Sequence, residues 1–361
     1  MTTAADTKAS VFVTVSALDA GHLTLPERLF ITDADPAKRN TVPSLSFLIQ
    51  HPSPSPSREC GQTTNLVFDL GIKRDLDGYT AAQALHTAQR QPVITDPDCA
   101  ASLRHGAGTA RQKKQQSHSQ SQSNNDEEEI LIDPSKDIDL VIISHVHWDH
   151  IGTPSDFASA TFTVGSGTQA LLKNGAGHLY PAELFNADEL PAARTVEFPP
   201  VPGATEYEAG SDIPKHTATP ENTEAKLPRA ASRWSWEPLG GFSNALDYFG
   251  DGSVYVIDSP GHLYGHVNLL TRVSESKYVY LGGDCCHDPR IMAGEKDIAM
   301  YGDGKGGLRS VHVDTNAAKR TLDRIRTFVK ERDGEVEVEV VLAHDGVWRD
   351  QNLHRFWPGR L

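Results

Sequence analysis

The amino-acid sequence predicts an α/β protein, because short apolar runs alternate with polar loops and a long amphipathic stretch follows near the end. Residues 138–144 form a short, apolar and β-branched run, which is typical of a buried strand. Later runs of the same kind occupy residues 253–258, 278–281 and 336–343. Residues 316–332 predict a helix that covers one face of a sheet, since Gly334 provides a stop and one stripe carries Leu322, Ile325, Phe328 and Val329.

The N-terminal part of the chain predicts further strands. Residues 11–18 alternate in polarity and residues 23–32 add more apolar positions, so each range predicts an early strand. Residues 44–50 and 65–70 predict a pair of strands separated by a Pro- and Ser-rich stretch. Residues 234–242 hold three aromatic residues and two glycines, which leave core packing and a pocket wall open as interpretations.

Two long polar segments interrupt this pattern. Residues 105–129 are rich in Gln, Ser and Asn and end in four consecutive acidic residues. They cannot bury enough apolar surface to offset the entropy lost on ordering, so we expect a disordered insertion, with a partner-binding segment as the alternative. Residues 199–228 exceed a typical connection and predict a long polar loop. We expect one domain over residues 1–361 that contains both segments.

The strongest functional pattern is the motif HVHWDH at residues 145–150, directly after a predicted strand. Neutral imidazole suits zinc, and a carboxylate adds negative charge that helps to hold a dication. Four such groups exceed what one tetrahedral ion takes from so short a stretch, so the motif predicts two neighbouring ions. His145 and His147 would reach one ion, and Asp149 and His150 the other. Histidines also cluster by chance in surface loops, but the end of a buried strand is where α/β sheets bind ligands.

Three more candidate ligands follow the later predicted strands. His262, Asp284 and His344 come shortly after the runs that end at residues 258, 281 and 343. One such residue alone is weak support for a site, because a single His or Asp after a strand is commonly a cap or a solvated loop residue. Together with the motif, they place metal-ligating side chains after four strands in succession.

These residues resemble the signature of the metallo-β-lactamase superfamily, and the resemblance covers about residues 41–350. It implies an αββα sandwich, in which two mixed β-sheets carry helices on both outer faces. It also implies that His262 joins His145 and His147 on the first metal, that His344 joins Asp149 and His150 on the second, and that Asp284 bridges them. His266 would then support the centre, and Asp69 would support the metal loop or simply form a turn.

The resemblance also bears on the substrate. Asp284 stands where the best-known zinc β-lactamases have Cys, so the motifs look most like the lactonase and glyoxalase II-like branches. Quorum-quenching lactonases commonly have a Tyr three positions after the bridging Asp, and His287 stands there instead. We expect Asp149 and His287 to act in catalysis, Asp149 by orienting the nucleophile and His287 by contacting the carbonyl or donating a proton. A purely structural His287 is the alternative.

The function implied is that of a hydrolase with two Zn²⁺ per chain, iron or manganese being open alternatives. Two such ions share a water and lower its pKa from about 15.7 toward about 7, which supplies a bridging hydroxide at neutral pH. We expect it to open a small cyclic ester or amide, as fungal lactonases and lactamases of the superfamily do. An acyl-thioester hydrolase of the glyoxalase II type is the first alternative, and an iron-dependent oxidoreductase of the same superfamily is the second.

Composition limits partners and location. The net charge of −14 argues against a nucleic-acid substrate, which usually requires a basic face, and leaves a small molecule as the expected partner. No stretch has the length of a membrane-spanning helix, and residues 1–8 lack the pattern of a secretory signal. The four cysteines are too few and too irregular for a disulfide framework, so we expect a cytoplasmic protein. The sequence leaves the oligomeric state open.

Overall fold

The computed structural model describes residues 10–55, 63–107, 131–203 and 224–361. Most of the predicted insertion at residues 105–129 and of the predicted polar loop at residues 199–228 therefore lies outside the described residues. The strands are β1 (Thr14–Pro26), β2 (Arg39–His51), β3 (Thr64–Phe68), β4 (Leu140–Ile143), β5 (Thr161–Val164), β6 (Gly175–Ala176), β7 (Tyr180–Pro181), β8 (Thr195–Glu197), β9 (Glu237–Leu239), β10 (Phe242–Asp247), β11 (Val254–Asp258), β12 (Val267–Arg272), β13 (Lys277–Leu281), β14 (Tyr301–Gly302), β15 (Leu308–Arg309) and β16 (Glu337–Val341).

The α-helices in the same residues are mostly short. They are α1 (Ala81–Ala88), α2 (Cys99–His105), α3 (Pro134–Asp137), α4 (Trp148–Ile151), α5 (Thr168–Asn174), α6 (Pro289–Met292), α7 (Thr315–Arg332) and α8 (Gly346–Gln351). The long helix α7 occupies the range that the amphipathic stripe predicts, and the side chain of Asp314 caps its first turn. None of the described helices is long and apolar enough to cross a membrane.

Two six-stranded mixed sheets carry the architecture. The first has the order β1-β2-β3-β4-β5-β8, antiparallel from β1 to β3 and parallel from β3 to β8. The second has the order β16-β13-β12-β11-β10-β9, in which β13 and β16 are parallel and the other neighbours antiparallel. Consequently β3 runs parallel to β4, and β11, β13 and β16 run parallel to one another, so the carboxyl ends within each set meet at one edge.

Alternation along each strand distributes apolar side chains between three buried layers. In β4, Leu140 and Ile142 face the second sheet, whereas Val141 and Ile143 face away from it. The layer on the outer face of the first sheet includes residues of α2 and α5. The layer on the outer face of the second sheet is covered by α7, which contributes Ala318, Leu322, Ile325 and Phe328. The predicted αββα sandwich is confirmed.

The predicted strand boundaries at the N-terminus are wrong. In place of two strands at residues 11–18 and 23–32, the chain forms the single long strand β1, followed by a short 3-10 turn at Glu27–Leu29. The register of β1 against β2 shifts between Asp19 and His22, because Gly21 adopts a φ of 95° there and makes a bulge. β2 is also longer than the predicted residues 44–50.

The aromatic segment at residues 234–242 belongs to the core. The indole of Trp234 stacks on Tyr248, and its Nε1 donates to the Tyr248 carbonyl at 3.0 Å. The Nε1 of Trp236 donates to the carbonyl of Pro199 at 2.8 Å, and Phe242 packs against Phe328 of α7. Core packing is therefore the correct interpretation, and the pocket described below is lined by other residues.

Candidate metal centre

The loop after β4 brings the motif to the edge where the parallel strands end. Ser144 follows β4, and His147 precedes the one-turn helix α4. Asp69, at the end of β3, holds this loop. Its Oδ1 accepts a hydrogen bond from the Ser144 backbone N–H at 2.6 Å, and its Oδ2 contacts the Ser144 hydroxyl at 2.7 Å and His150 Nδ1 at 2.9 Å. Asp69 itself has a φ of 59°, a conformation that Asp tolerates better than most residues.

One group of ligand atoms comes from the motif and the two later strand ends. His147 Nδ1 lies 3.0 Å from His145 Nε2 and 2.9 Å from His262 Nε2. Asp284 Oδ2 lies 3.3 Å from His262 Nε2 and 3.6 Å from His145 Nε2. Four such atoms within 4.8 Å of one another can surround a single cation.

A second group shares Asp284 with the first. The other carboxylate oxygen, Oδ1, lies 3.1 Å from His150 Nε2 and 3.2 Å from His344 Nε2. Asp149 Oδ2 lies 3.6 Å from the same nitrogen of His344. The two oxygens of Asp284 thus face two different sets of nitrogens, which is the arrangement that a carboxylate bridging two cations requires.

The buried polar atoms of this cluster fit a pair of cations. His150 Nε2 and Asp284 Oδ1 are buried and make no hydrogen bond to a described residue, although they lie 3.1 Å apart. A buried polar atom without a partner is costly, and a cation between these two atoms would satisfy both. Imidazole nitrogens with carboxylate oxygens are the donor set that zinc accepts, and iron and manganese accept it as well.

Most ring nitrogens that face away from the cluster have partners of their own, whereas the buried Nε2 of His147 has none among the described residues. His145 Nδ1 lies 3.0 Å from the Ser144 hydroxyl, and His344 Nδ1 lies 2.8 Å from the carbonyl of Pro43. His262 Nδ1 lies 3.2 Å from Nδ1 of a further buried histidine, His312. Such contacts fix the ring orientation and the tautomer, so that the other nitrogen is free to bind a cation.

Burial and mutual proximity govern the protonation of the cluster. Burial lowers the pKa of His145 and His262 well below the usual value, and it lowers the pKa of His147 to about 3. Burial alone would raise the pKa of the Asp284 carboxyl, but His150, His344 and His287 hold it well below its usual value. The first group is therefore in the neutral-imidazole and carboxylate form that binds a cation.

His266 supports the turn that carries Asp284. Its Nδ1 lies 3.0 Å from the carbonyl of Ser259, and its Nε2 lies 3.3 Å from the Asp284 backbone nitrogen, which donates to it. The turn also depends on Gly283, whose φ is 46° and whose hypothetical Cβ would lie 2.9 Å from His266 Nε2. The choice of His262 over His266 as a candidate ligand thus agrees with the geometry.

His287 lies beside the cluster rather than at the surface. Its Nε2 is 3.0 Å from Asp284 Oδ2, and its ring packs 4.8 Å from the ring of Phe30. It can also join Asp284 and His344 in a further group of potential ligand atoms. The side chain is therefore within reach of both the candidate cations and anything bound above them.

A pocket opens directly above the two groups. His147, Asp149, His262, Asp284, His287 and His344 all line it. Its apolar wall is formed by Leu23, Leu25, Phe30, Tyr180, Phe185 and Val311. Gln83, His86 and Arg90, from α1 and the turn after it, line the pocket as well. The pocket joins an apolar binding surface to a polar floor, as small-molecule sites commonly do.

A family model described as the metallo-β-lactamase superfamily matches residues 107–270, which contain the motif and His262. Over these residues, just under half of the chain, the sequence is similar to the metallo-β-lactamase superfamily. A solved structure shares the fold over nearly the whole chain. An N-acyl homoserine lactone hydrolase with N-hexanoyl-L-homoserine bound at its catalytic metal centre aligns over 98% of this chain and 100% of its own, with a TM-score of 0.56 and 14% identity.

The curated proteins to which this chain is similar come from fungi. A cytochrome P450 monooxygenase, mpaDE of Penicillium brevicompactum, is 27% identical over 97% of this chain and 35% of its own length. The gamma-lactamase FDB1 of Fusarium pseudograminearum is 27% identical over 68% of this chain and 45% of its own length. The chain therefore spans between about a third and a half of these two relatives.

The structure brings all the predicted ligands together, and it adds residues that the sequence does not single out. His145, His147, Asp149, His150, His262, Asp284 and His344 all lie in the two groups. Sequence reasoning missed His312, which follows no predicted strand and contacts His262 from a loop. It also missed His86 and Arg90, because a helix that merely passes beside a site carries no motif.

Proposed function

We propose that this protein is a metal-dependent hydrolase that opens a small cyclic ester or amide. The observation that carries the proposal is the pair of ligand groups that share Asp284 at the floor of an apolar pocket. A lactonase-like or lactamase-like hydrolase needs a cation centre that a small substrate can reach, and this pocket offers one.

We propose two Zn²⁺ as the cofactor. His145, His147, His262 and Asp284 would hold one ion, and Asp149, His150, His344 and Asp284 the other. When bound, the pair would supply a water of lowered pKa and Lewis acidity toward a carbonyl oxygen. The neutral state that burial gives to His145, His147 and His262 supports this assignment, because imidazole binds a cation only when neutral.

The residues of the chain orient the reactants and move the protons. Water adds to the carbonyl carbon of the ring, the bond from that carbon to the ring oxygen or nitrogen breaks, and the leaving atom takes up a proton. Asp149 lines the pocket, and its carboxylate is placed to orient the attacking water. His287 lines the same pocket, and we propose that its Nε2, now 3.0 Å from Asp284 Oδ2, gives the leaving atom its proton.

The apolar wall supports a compact substrate with a hydrophobic body. Phe30, Tyr180 and Phe185 provide aromatic surface close to the candidate cations, and Leu23 and Val311 extend it. The names of two compared proteins are consistent with ring opening, since one is a gamma-lactamase and the other a lactone hydrolase. The similarity to the solved structure supports only a shared fold and not a shared reaction.

The monooxygenase name of some relatives does not change this proposal. A relative with that name is much longer than this chain, which covers only 35% of its length. P450 chemistry depends on a haem held by a cysteine thiolate, and no described cysteine lines the pocket, whereas imidazoles and carboxylates do. The described residues that line the pocket therefore support hydrolysis rather than P450 chemistry in this chain.

The test combines metal analysis with a substrate screen. The purified protein should contain about two zinc ions per chain and should hydrolyse at least one compound in a panel of lactones, lactams and thioesters. His147→Ala should lose this activity and part of the metal, whereas the exposed His178→Ala should change neither.

Three results would contradict the proposal. One iron per chain with no hydrolysis would exclude a zinc hydrolase, and a preference for thioesters over all cyclic substrates would replace the substrate class. Full activity of His147→Ala with unchanged metal content would show that the cluster does not carry the reaction.

A further inference from the structure

Arg90 is the arginine that lines the pocket above the candidate metal centre, and its guanidinium has no acidic partner among the described residues. Several other described arginines form ion pairs with carboxylates, namely Arg74, Arg290, Arg326, Arg349 and Arg355. Arg90 is half-buried and lines the pocket above the candidate metal centre, yet no described carboxylate lies within ion-pair distance of it. A partly buried cation without a counter-ion is unfavourable unless a ligand supplies the opposite charge.

The backbone of Arg90 is held firmly in this position. Its N–H donates to the carbonyl of Thr87 at the end of α1, at 2.8 Å, and its own carbonyl accepts from the Thr24 N–H of β1, at 2.9 Å. A guanidinium nitrogen of Arg39 donates to the neighbouring Gln89 carbonyl at 2.8 Å. The side chain therefore extends into the pocket from a fixed point rather than from a loose loop.

Helix α1 is fixed as well. Thr80 and Gln83 form a capping box at its start, and the Thr80 hydroxyl donates to the carbonyl of Glu183 at 2.8 Å. This bond ties the helix to the segment that carries Phe185 and the rest of the aromatic wall. The backbone of α1 and that wall are therefore joined by a direct hydrogen bond.

The surroundings of Arg90 favour an anion over a second cation. His86, one turn earlier, lines the same pocket, and burial lowers its pKa to about 4, so that it is neutral near pH 7. Burial also lowers the pKa of Arg90, while Asp149 acts in the opposite direction. Asp149 and Asp284 are the described carboxylates of the lining, and both belong to the candidate metal groups. A bound cation pair would occupy them and leave Arg90 without a free carboxylate among the described residues of the lining.

We propose that Arg90 binds a carboxylate carried by the substrate itself, apart from the ester or amide that is hydrolysed. This inference rests on the proposed function and narrows its substrate class to acidic lactones or lactams. The planar guanidinium matches a carboxylate through two parallel hydrogen bonds, which a lysine does not reproduce. Neutral His86 supplies an additional donor beside it, and the apolar wall receives the body of the ring.

The experiment compares two lactones with the same ring system, one neutral and one anionic: 3,4-dihydrocoumarin and a dihydrocoumarin with a carboxylate on its aromatic ring. The wild-type protein should show a higher kcat/KM for the carboxylated lactone. Arg90→Gln should reduce the ratio of the two kcat/KM values by roughly tenfold or more, mainly through KM, since a charged hydrogen bond is lost. The ratio of the two kcat/KM values for Arg90→Lys should lie between the ratios for the wild type and for Arg90→Gln.

Arg28→Gln is the matched control, because Arg28 is exposed near Phe30 and its loss changes the net charge equally. It should leave the ratio within about threefold, since an exposed charge is screened by salt. Equal losses for both lactones in Arg90→Gln, or an unchanged ratio, would overturn the inference.

A binding measurement separates this inference from the proposed function. Calorimetry with benzoate and with neutral benzamide requires no turnover. If no lactone is hydrolysed, the proposed function fails, but the carboxylate-binding role of Arg90 stands when Arg90→Gln weakens benzoate binding about tenfold and leaves benzamide unchanged. It fails when benzoate binds both proteins equally, because the carboxylate then contacts another part of the pocket.

Discussion

The Nδ1 atoms of His262 and His312 lie 3.2 Å apart, and both side chains are buried. One of the two nitrogens must carry the hydrogen for this contact to be favourable. Because His262 Nε2 faces the candidate cation, its Nδ1 is the donor and His312 the acceptor. His312 therefore fixes the tautomer of His262, a proposed metal ligand. His312 itself belongs to neither of the two ligand groups.

We predict that His312→Ala weakens metal binding by roughly 10–100-fold, the range found when the partner of a ligating histidine is removed. Competition with a chelator of known affinity measures this. His354→Ala serves as the control, because His354 is exposed and belongs to neither ligand group. Unchanged metal affinity in His312→Ala would mean that the contact is merely packing.

His287→Ala should slow turnover while both metal ions stay bound. His287 Nε2 contacts Asp284 Oδ2 at 3.0 Å and the ring lines the pocket, but the two ligand groups are complete without it. We expect kcat to fall by roughly 100-fold, because general acid catalysis contributes about that much or more. Steady-state kinetics and metal analysis on the same preparation give both quantities. An unchanged kcat would assign His287 to structure, and loss of metal would make it a ligand.

Asp69→Asn should destabilise the metal loop through lost hydrogen bonds alone. Asn tolerates the φ of 59° at this position, so the backbone is not strained by the change. The amide cannot accept from Ser144 N–H, the Ser144 hydroxyl and His150 Nδ1 together, as the carboxylate does. We expect the free energy of unfolding to fall by about 2–4 kcal/mol. Thermal denaturation checks this against the exposed Asp188→Asn, and equal melting temperatures would contradict it.

Glu339→Gln tests a pH dependence far from the metal centre. Burial opposes the charge of Glu339, but Arg355, Lys277 and the indole N–H of Trp348 lower its pKa from 4.5 to about 2. A carboxyl whose pKa is depressed by folding stabilises the protein above its unfolded value, and this stabilisation is lost as the pH falls from about 4.5 toward about 2.

The wild type should therefore exceed Glu339→Gln in stability by about 1–2 kcal/mol at pH 7, a figure reduced because the group is partly exposed. The difference should shrink on acidification and nearly vanish at pH 2. Denaturant unfolding at several pH values provides the measurement, with the exposed Glu335→Gln as the matched control. A difference that does not depend on pH would contradict the assignment.

Local patterns in the sequence were sufficient to locate the strands near the site. The motif after β4, together with His262, Asp284 and His344 after β11, β13 and β16, could be predicted because each residue follows a short apolar run. The same reasoning misjudged the N-terminus. There, a bulge at Gly21 lets one strand continue, and a bulge leaves no periodic signal.

The sequence by itself determined which side chains are available to bind a cation and which strands carry them, because ligand chemistry and strand periodicity are local properties. The tertiary structure alone decided that Asp284 presents its two oxygens to two different groups, that His312 supports His262, and that Arg90 lines the pocket without an ion pair to a described carboxylate. The physical reason is that these relationships join segments far apart in the chain. Their distances follow from how the two sheets pack and not from any spacing along the sequence.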